Sequence, residues 1–222
     1  MELINAIIGR RSIRKFKSNK IPREIIREIL TMARWAPSWG NTQPWEFYVL
    51  TGKPLEEFKR QNHELLVKGQ SSASDVPMPE VWPEHLKRRY AEIGAILLKT
   101  LNIAREDKEA RNKLYEEMAL LFGAPCLIVI CIPRDTLVEY AMLDVGLVLQ
   151  TLCLLAYDKG IGTCIMAMTV RHPELLRKIM SIPEDRKIIM GVALGYPDQE
   201  FPANNFERKR ADVGEYVRWV ND

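Results

Sequence analysis

The sequence is poor in the residues and patterns that carry metal-dependent and hydrolytic chemistry. It has only three histidines, His63, His85 and His172, and they show neither an H-E-x-x-H motif nor any other paired-ligand spacing. A G-x-S-x-G elbow and a Walker loop are also missing. Metal-dependent hydrolysis and nucleotide hydrolysis are therefore disfavoured, and we expect no bound metal ion.

The few cysteines lack the spacing of a redox or zinc site. No two of them form a C-x-x-C motif, and each lies in apolar surroundings. Free cysteine is among the most buried residue types, so we expect these residues to be reduced and to pack in the core. The four cysteines are Cys126, Cys131, Cys153 and Cys164.

Long hydrophobic runs are absent as well. No apolar stretch reaches the roughly 18 uninterrupted residues that a membrane span needs. The chain also does not open with a charged segment, an apolar run and a small-residue cleavage site. We therefore expect a cytoplasmic protein that does not associate with a membrane.

The excess of positive charge is small overall but concentrated near both ends. A net charge of +3 at pH 7 is too small to indicate nucleic-acid binding. The clustered cations are Arg10, Arg11, Arg14, Lys15, Lys17 and Lys20 near one end, and Arg208, Lys209 and Arg210 near the other. Both clusters could converge on one anion. The alternative is a non-enzymatic nucleic-acid binder with a basic arm at residues 10–20, but it leaves the apolar Trp39 and Trp45 unexplained.

Length and composition predict a single domain over residues 1–222. Of the 222 residues, 47% are hydrophobic and 27% are charged, which is ordinary for a globular enzyme. Such a chain is long enough to bury one good core. The final segment, residues 201–222, has too few apolar residues for a unit of its own, and we expect a C-terminal extension that packs on the body or on a partner.

The sequence also predicts a lid insertion at about residues 63–105. Residues 67–83 lack the hydrophobic periodicity of a helix or strand and are rich in Gly, Ser, Asp and Pro. So long a stretch without regular structure indicates either a lid over a pocket or a disordered surface loop. Solvated linkers seldom contain large aromatic side chains. Trp82 and Tyr90 therefore favour the lid.

Hydrophobic patterning predicts the main strands and an unusual helix. Residues 45–50 alternate as a strand, residues 126–132 are apolar throughout and should form the centre of a sheet, and residues 186–196 form a last buried strand. The helix predicted at residues 139–159 is apolar on almost every side, and a chain of this size has difficulty burying it alone. We expect a subunit interface there, most simply in a twofold dimer, with full burial in one core as the alternative.

Three polar or glycine-containing stretches together predict a flavin mononucleotide (FMN) site. Residues 10–16, R-R-S-I-R-K-F, supply cations and a hydroxyl that suit a phosphate and an electron-rich ring edge. Residues 36–45, A-P-S-W-G-N-T-Q-P-W, supply side chains that can contact the polar rim of a flat heterocycle. Residues 160–168 end in small or flexible side chains that let backbone N–H groups approach a planar ligand. This last stretch lacks the third glycine of a Rossmann dinucleotide fingerprint.

The order and spacing of five motifs resembles the FMN-dependent nitroreductases. The motifs are R-R-S-I-R-K-F at 10–16, A-P-S-W-G-N-T-Q-P-W at 36–45, D-x-G-x-x-x-Q at 144–150, G-I-G-T-C at 160–164 and G-V-A-L-G-Y-P-D at 191–198. They cover nearly the whole chain. The Pro-rich insertion before Tyr90, the Gly-Ala-Pro at 123–125 and the Arg-Ala at 210–211 resemble the p-nitrobenzoate reductase-like branch.

This resemblance implies a fold and an activity. The fold would be α+β with three layers, a mixed central sheet flanked by helices, and an intertwined homodimer with FMN at the interface. NAD(P)H would donate a hydride, and a nitroaromatic, quinone or related conjugated acceptor would be reduced in ping-pong fashion. The scaffold also resembles reductive dehalogenases, and this alternative would need residues that grip an amino acid zwitterion around Glu84, Tyr90 and Lys99.

The resemblance also implies a set of site residues, with no catalytic side chain because the chemistry would take place on the flavin. Arg10, Ser12 and Arg210 would bind the ribityl phosphate, with Arg208 as a helper. Arg14 would face the pyrimidine edge of the ring and stabilise the flavin hydroquinone. The full set of cofactor-binding candidates is Arg10, Arg11, Ser12, Arg14, Pro37, Ser38, Trp39, Asn41, Gln43, Ala167, Met168, Arg208 and Arg210.

The remaining implications concern the second subunit and the substrate. Residues 37–41 would reach the cofactor from the second subunit, and the backbone of Ala167 and Met168 would approach flavin N5. The substrate-pocket candidates are Trp39, Trp82 and Tyr90.

Overall fold

The computed structural model describes residues 2–220; Met1 at the start of the predicted domain, and Asn221 and Asp222 at the end of the predicted C-terminal extension, lie outside the described residues. Helices are interspersed with strands along the chain. In chain order they are α1 (Leu3–Gly9), α2 (Arg23–Ala33), β1 (Glu46–Thr51), α3 (Gly52–Val67), α4 (Glu84–Thr100), α5 (Lys108–Ala119), β2 (Cys126–Pro133), α6 (Val138–Asp158), β3 (Gly162–Met166), α7 (Pro173–Met180) and β4 (Arg186–Gly195).

The four strands form one sheet in the order β1-β2-β4-β3. The predicted central strand is confirmed, since β2 lies between β1 and β4 and is buried at every position except Pro133. The expected mixed sheet is corrected, because all three strand pairs are antiparallel. Among residues 2–220, the one parallel link is an isolated bridge between Ser12 and Thr163. Thr163 belongs to β3, whereas Ser12 lies outside the four strands.

Helices cover both faces of the sheet and produce three layers. Alternate residues of β2 point to opposite faces, which is the two-residue period of a strand. One face packs against α3, α5 and α7, and the other packs against α2 and α6. All four cysteines are free and buried in these two cores, as predicted, and burial raises the pKa of the Cys126 thiol to about 12.

Helix α6 is only partly buried in the single chain. Its inner face packs on the sheet, whereas Leu143 is 65% exposed and Leu147 is 44% exposed on its outer face. Of the described helices, α6 is the one with the length and hydropathy of a membrane span, and 39% of its most apolar stretch is buried within the chain. The alternative to a subunit interface, full burial of the helix inside one core, therefore does not hold for the outer face.

The predicted lid has a fixed beginning and a loosely packed helix. Ala73 N–H donates to the carbonyl of Arg171 at 3.0 Å, and Val76 packs on the core. Between them, Asp75 Oδ2 accepts from Arg177 Nη2 at 2.8 Å and from Ile188 N–H at 2.7 Å. By contrast, α4 has no buried residue. Residues 73–76 therefore anchor the segment between α3 and α4 to the core, whereas α4 buries none of its residues.

The Asp75 carboxylate makes this anchor electrostatic. Burial alone raises the pKa of Asp75, but the hydrogen bonds from Arg177 and from Ile188 N–H outweigh that effect and hold the pKa below its usual 3.8. The Arg177 side chain is itself almost completely buried. Removing the carboxylate would therefore leave a guanidinium in the interior without its main counterion.

We expect Asp75→Ala to lower the free energy of unfolding at neutral pH by about 3 kcal/mol, because it breaks a nearly buried ion pair. The loss should shrink in acid, since a carboxylate with a depressed pKa stabilises the fold above its unfolded pKa and not below its folded one. Urea unfolding at several pH values measures both effects. The matched control is Glu184→Ala, which removes the 79% exposed partner of the same arginine and should cost under about 1 kcal/mol. Equal losses in the two variants would contradict this account.

Candidate functional site

The cationic segment at residues 10–16 is attached to the edge of the sheet at β3. Ile13 N–H donates to the carbonyl of Thr163 at 2.9 Å, and Ile13 is buried. A side chain at Gly162 would place its Cβ 2.5 Å from Ile13 Cγ1, so only glycine lets the segment lie this close to the strand. The backbone of the predicted phosphate-binding stretch is therefore held by main-chain hydrogen bonds and close packing.

The C-terminal cations meet this segment, as the sequence analysis predicts. The Arg208 guanidinium donates to the carbonyls of Ile8 and Arg10. In the opposite direction, Arg11 Nη1 donates to the carbonyls of Asn204 at 3.0 Å and Phe206 at 3.1 Å. Arginines from each end of the chain thus bind the backbone of the other end.

A cavity of about 140 Å³ lies where the two ends meet. No acidic residue is among those that line it, and Ile93 of α4 borders it. The polar and aromatic lining residues are Arg10, Arg11, Ser12, Arg14, Phe206, Arg208 and Arg210. The buried Nε of Arg10 has no hydrogen-bond partner within residues 2–220. Because a buried unpaired donor is costly, the cavity fits an anion with several acceptor oxygens, such as a phosphate group.

The arginines around the cavity repel one another, and this repulsion affects the pKa of Arg208. Burial lowers the pKa of the Arg208 guanidinium, and the neighbouring charges of Arg11, Arg210 and Arg10 lower it further. An anion bound among these groups would reverse the second effect, since opposite charges nearby favour the charged form.

Arg14 is a half-buried cation without a carboxylate partner among the described ion pairs. Burial lowers the pKa of its guanidinium. Its Nη1 donates to the carbonyl of Ser12 at 3.2 Å, and the guanidinium carbon lies 5.7 Å from the centre of the Phe206 ring. The charge is therefore held by a neutral carbonyl and an aromatic face, and it remains available to a ligand.

The second polar loop is fixed by helix α6. Trp39 N–H donates to the buried carboxylate Oδ1 of Asp144 at 3.0 Å, and the Trp39 ring lies 5.5 Å from that of Tyr140. Asn41 and Gln43 both have left-handed backbone conformations, with φ of 58° and 47°. Within one chain, residues 37–43 do not line the cationic cavity of the described residues. Their predicted approach to a cofactor, from a second subunit, stays a prediction.

The segment predicted to approach flavin N5 is a tight turn after β3. Residues 167–170 form one 3₁₀ turn, in which Thr169 Oγ1 donates to the carbonyl of Met166 at 2.6 Å. A Cβ at Gly191 of β4 would lie 2.1 Å from Thr169 Oγ1, so this glycine allows the turn to close on the sheet. Ala167 and Met168 also do not border the cationic cavity within the described chain.

The predicted substrate aromatics form a pair on the lid. The rings of Trp82 and Tyr90 stack with their centres 6.4 Å apart and their planes 15° apart. Tyr90 is largely exposed in the single chain. Trp39 is exposed too, and it lies on the other polar loop, so the three predicted pocket residues are not brought together within one chain.

Comparison with known proteins now decides the family. Residues 7–196 match the nitroreductase family. The chain belongs to that family. The α+β nitroreductase fold and the resemblance to p-nitrobenzoate reductases, both predicted from the motifs, are thereby confirmed.

Individual relatives in the nitroreductase family cover almost all of the chain. It is 30% identical to 4-nitrobenzoate reductase from Nocardioides sp. (strain LMS-CY), covering 100% of this chain and 92% of the relative. It is 33% identical to 4-nitrobenzoate reductase from Pseudomonas putida, covering 92% and 89%. The crystal structure of the FMN-dependent nitroreductase NfnB from Mycobacterium smegmatis in complex with NADPH superposes with a TM-score of 0.92 at 29% identity, covering 98% of this chain and 97% of that one.

Sequence reasoning missed three residues that build the site. Asn204 and Phe206 lie between β4 and the C-terminal cations, and Asp144 was noticed only as part of a motif. A single asparagine in a polar loop has no periodicity that would distinguish it from a solvated residue. The Phe206 ring, next to a charged run, was the one signal that the sequence offered.

Proposed function

We propose that this nitroreductase is an FMN-dependent NAD(P)H oxidoreductase that reduces nitroaromatic, quinone or related conjugated acceptors. The observation that carries the proposal is the cavity lined by arginines from both ends of the chain and by no carboxylate. Two 4-nitrobenzoate reductases and an FMN-dependent nitroreductase in complex with NADPH are similar over nearly the full length. The acceptor is a small molecule.

The residues of the cavity fit the phosphate of FMN. Arg10 offers the unpartnered Nε, Ser12 a hydroxyl, and Arg210 an exposed guanidinium, with Arg208 alongside. Arginine suits phosphate because its planar group donates two parallel hydrogen bonds. Arg11 contributes charge, while one of its terminal nitrogens is already bound to the C-terminal backbone.

When bound, the flavin supplies the redox chemistry, accepting a hydride from NAD(P)H and passing electrons to the acceptor. The chain supplies position and charge. Arg14 would stabilise negative charge that develops on the pyrimidine edge, because a cation already held in place costs little reorganisation during the reaction. Its freedom from any described carboxylate keeps that charge undiminished.

We further propose that two subunits form the complete site. Apolar residues are exposed on the outer face of α6 and on α1, which packs against α6, and exposed apolar surface of this kind marks an interaction site. Asp144 presents Trp39 on this side of the molecule. In the dimer, residues 37–43 of one subunit would contact the flavin held by the other, with Ala167 and Met168 near N5 and with Trp82 and Tyr90 over the acceptor. The protein acts in the cytoplasm and binds neither membrane nor nucleic acid.

The direct test of the function is an absorbance spectrum followed by an assay. The purified protein with added FMN should retain a visible flavin spectrum after desalting, and it should oxidise NADPH or NADH when 4-nitrobenzoate is supplied under nitrogen. A nucleic-acid binder would instead stay colourless and bind nucleic acid in a steeply salt-dependent manner. Protein that loses all flavin on desalting and leaves both nicotinamides unoxidised would refute the proposal.

Two arginine variants should separate cofactor retention from reduction. Arg14→Ala is expected to slow flavin reduction about 10²-fold with little change in FMN affinity, since it removes a charge that acts mainly on the reduced ring. Arg210→Ala is expected to weaken FMN binding about tenfold by removing charge-assisted hydrogen bonds. Stopped-flow reduction and fluorescence titration measure the two quantities. The control is Arg218→Ala, an exposed arginine of the same extension that does not line the cavity. Identical behaviour of all three variants would contradict these roles.

The subunit arrangement is tested by charge placed on α6. The wild type should elute at twice the 25.6 kDa of one chain. The double substitution Leu143→Glu with Leu147→Glu should yield monomers that lose FMN, because charges would be buried at the interface. Val67→Glu, at an equally apolar and exposed position on α3, should stay dimeric. A dimeric double variant, or a monomeric wild type with full flavin content, would contradict the proposal.

A further inference from the structure

Asn204 is the most highly connected buried polar residue near the cationic cavity. It ends the 3₁₀ turn at Pro202–Asn204, between β4 and the C-terminal arginines, and is only 3% exposed. An amide buried to this extent needs partners for both its oxygen and its nitrogen. The structure supplies them from two distant parts of the chain.

The contacts of Asn204 join the cationic segment to the C-terminal extension. Its Oδ1 accepts from Arg14 N–H at 2.6 Å, and its Nδ2 donates to the carbonyls of Lys15 at 2.9 Å and Asp198 at 2.8 Å. Its own backbone carbonyl accepts from Arg11 Nη1 at 3.0 Å. Asn204 is therefore hydrogen-bonded to the main chain of Arg14 and Lys15 and to Asp198 in the turn after β4.

We propose that Asn204 is the positioning residue that sets the separation between the two arginine clusters, and thereby the affinity for FMN and the placement of the Arg14 charge. This inference rests on the proposed function, because it concerns how the same site is assembled. Arginines at this density repel one another, so a neutral side chain must hold their backbones together before the phosphate arrives. Preorganisation of this kind increases affinity because less ordering remains to be done on binding.

The chemistry of the amide explains why asparagine suits the position. It presents one acceptor toward Arg14 N–H and two donors toward the carbonyls of Lys15 and Asp198. An aspartate of the same size would retain the acceptor but would face those two carbonyls with a second oxygen. It would also place a negative charge beside the cavity, where it would compete with the phosphate.

The neighbouring Asn205 provides a matched control. It is exposed, and its Nδ2 donates to the carbonyls of Gln199 at 2.6 Å and Phe201 at 3.3 Å, both in its own loop. It has the same side chain and lies one position further along, yet within the described residues its side chain makes no hydrogen bond to the cationic segment. Substitution of Asn205 therefore perturbs the loop without removing the hydrogen bonds of Asn204.

The experiment compares Asn204→Ala, Asn204→Asp and Asn205→Ala with the wild type. Flavin is removed from each protein, the melting temperature of the flavin-free form is recorded, and FMN is titrated by the quenching of its fluorescence. The midpoint potential of the bound flavin is then measured with dye mediators. Affinity and potential are both independent of turnover, and the potential is a quantity that a purely structural role would not change.

Asn204→Ala should raise the FMN dissociation constant about tenfold or more, as expected when the Arg14 N–H donor and the carbonyl acceptors of Lys15 and Asp198 lose their partner. The midpoint potential should become more negative, because a displaced Arg14 stabilises the reduced flavin less. Asn204→Asp should weaken binding at least as much while remaining folded. Asn205→Ala should stay within about twofold of the wild type, because exposed side-chain hydrogen bonds contribute little.

Two results would overturn the inference while leaving the proposed function intact. One is that the wild type binds FMN and the Asn204 variants bind it equally well. The other is a fall in melting temperature with unchanged potential and affinity, which would make Asn204 a structural residue only. If Asn204→Ala does not fold, Asn204→Asp decides by the same criteria. A wild type that does not bind FMN would refute the proposed function, and the inference with it.

Discussion

The cationic cavity depends on a balance between repulsion of like charges and neutral hydrogen bonds that resist it. Arginines from both ends of the chain converge there, and no lining residue is acidic. The bonds that hold them run from guanidinium groups to backbone carbonyls, as for Arg208 with Ile8 and Arg10, and for Arg11 with Asn204. A carbonyl positions a cation without cancelling its charge. The assembled cavity therefore keeps its full attraction for an anion.

The sheet gives this assembly a rigid base. β3 is an edge strand, and its carbonyl at Thr163 is taken by Ile13 N–H, so the cationic segment continues the sheet without being one of its strands. Gly162 permits that approach, and Gly191 permits the turn at Thr169 to close on the opposite end of the same strand pair. These two glycines, which have no side chain, therefore fix the two stretches that the flavin is proposed to contact. Sites on rigid elements hold their geometry more accurately than sites on free loops.

The sequence predicted those features that depend on periodicity or on clustered charge. The buried strand β2, the apolar helix α6 and the meeting of the arginine clusters all follow from patterns within short windows. The antiparallel sheet, the Asp75 anchor and the Asn204 junction do not. Each depends on partners that are distant in sequence, as between Asp75 and Ile188, and a single polar residue in a loop has no local pattern. The predicted contacts of residues 37–43 with the cofactor of a second subunit stay predictions.

The same contrast between buried and exposed electrostatics explains how the lid differs from its anchor. Asp75 pairs with Arg177 where water is largely excluded, so the bond persists when salt is added. Helix α4 is instead tied to the C-terminal extension by ion pairs on the surface, between Arg89 and Glu215 and between Lys209 and Glu92. Such pairs contribute about 1 kcal/mol or less and are screened by salt. Ile93 of α4 borders the cavity, so that side of the cavity is held by these surface ion pairs, whereas residues 73–76 are held by the buried pair of Asp75 with Arg177.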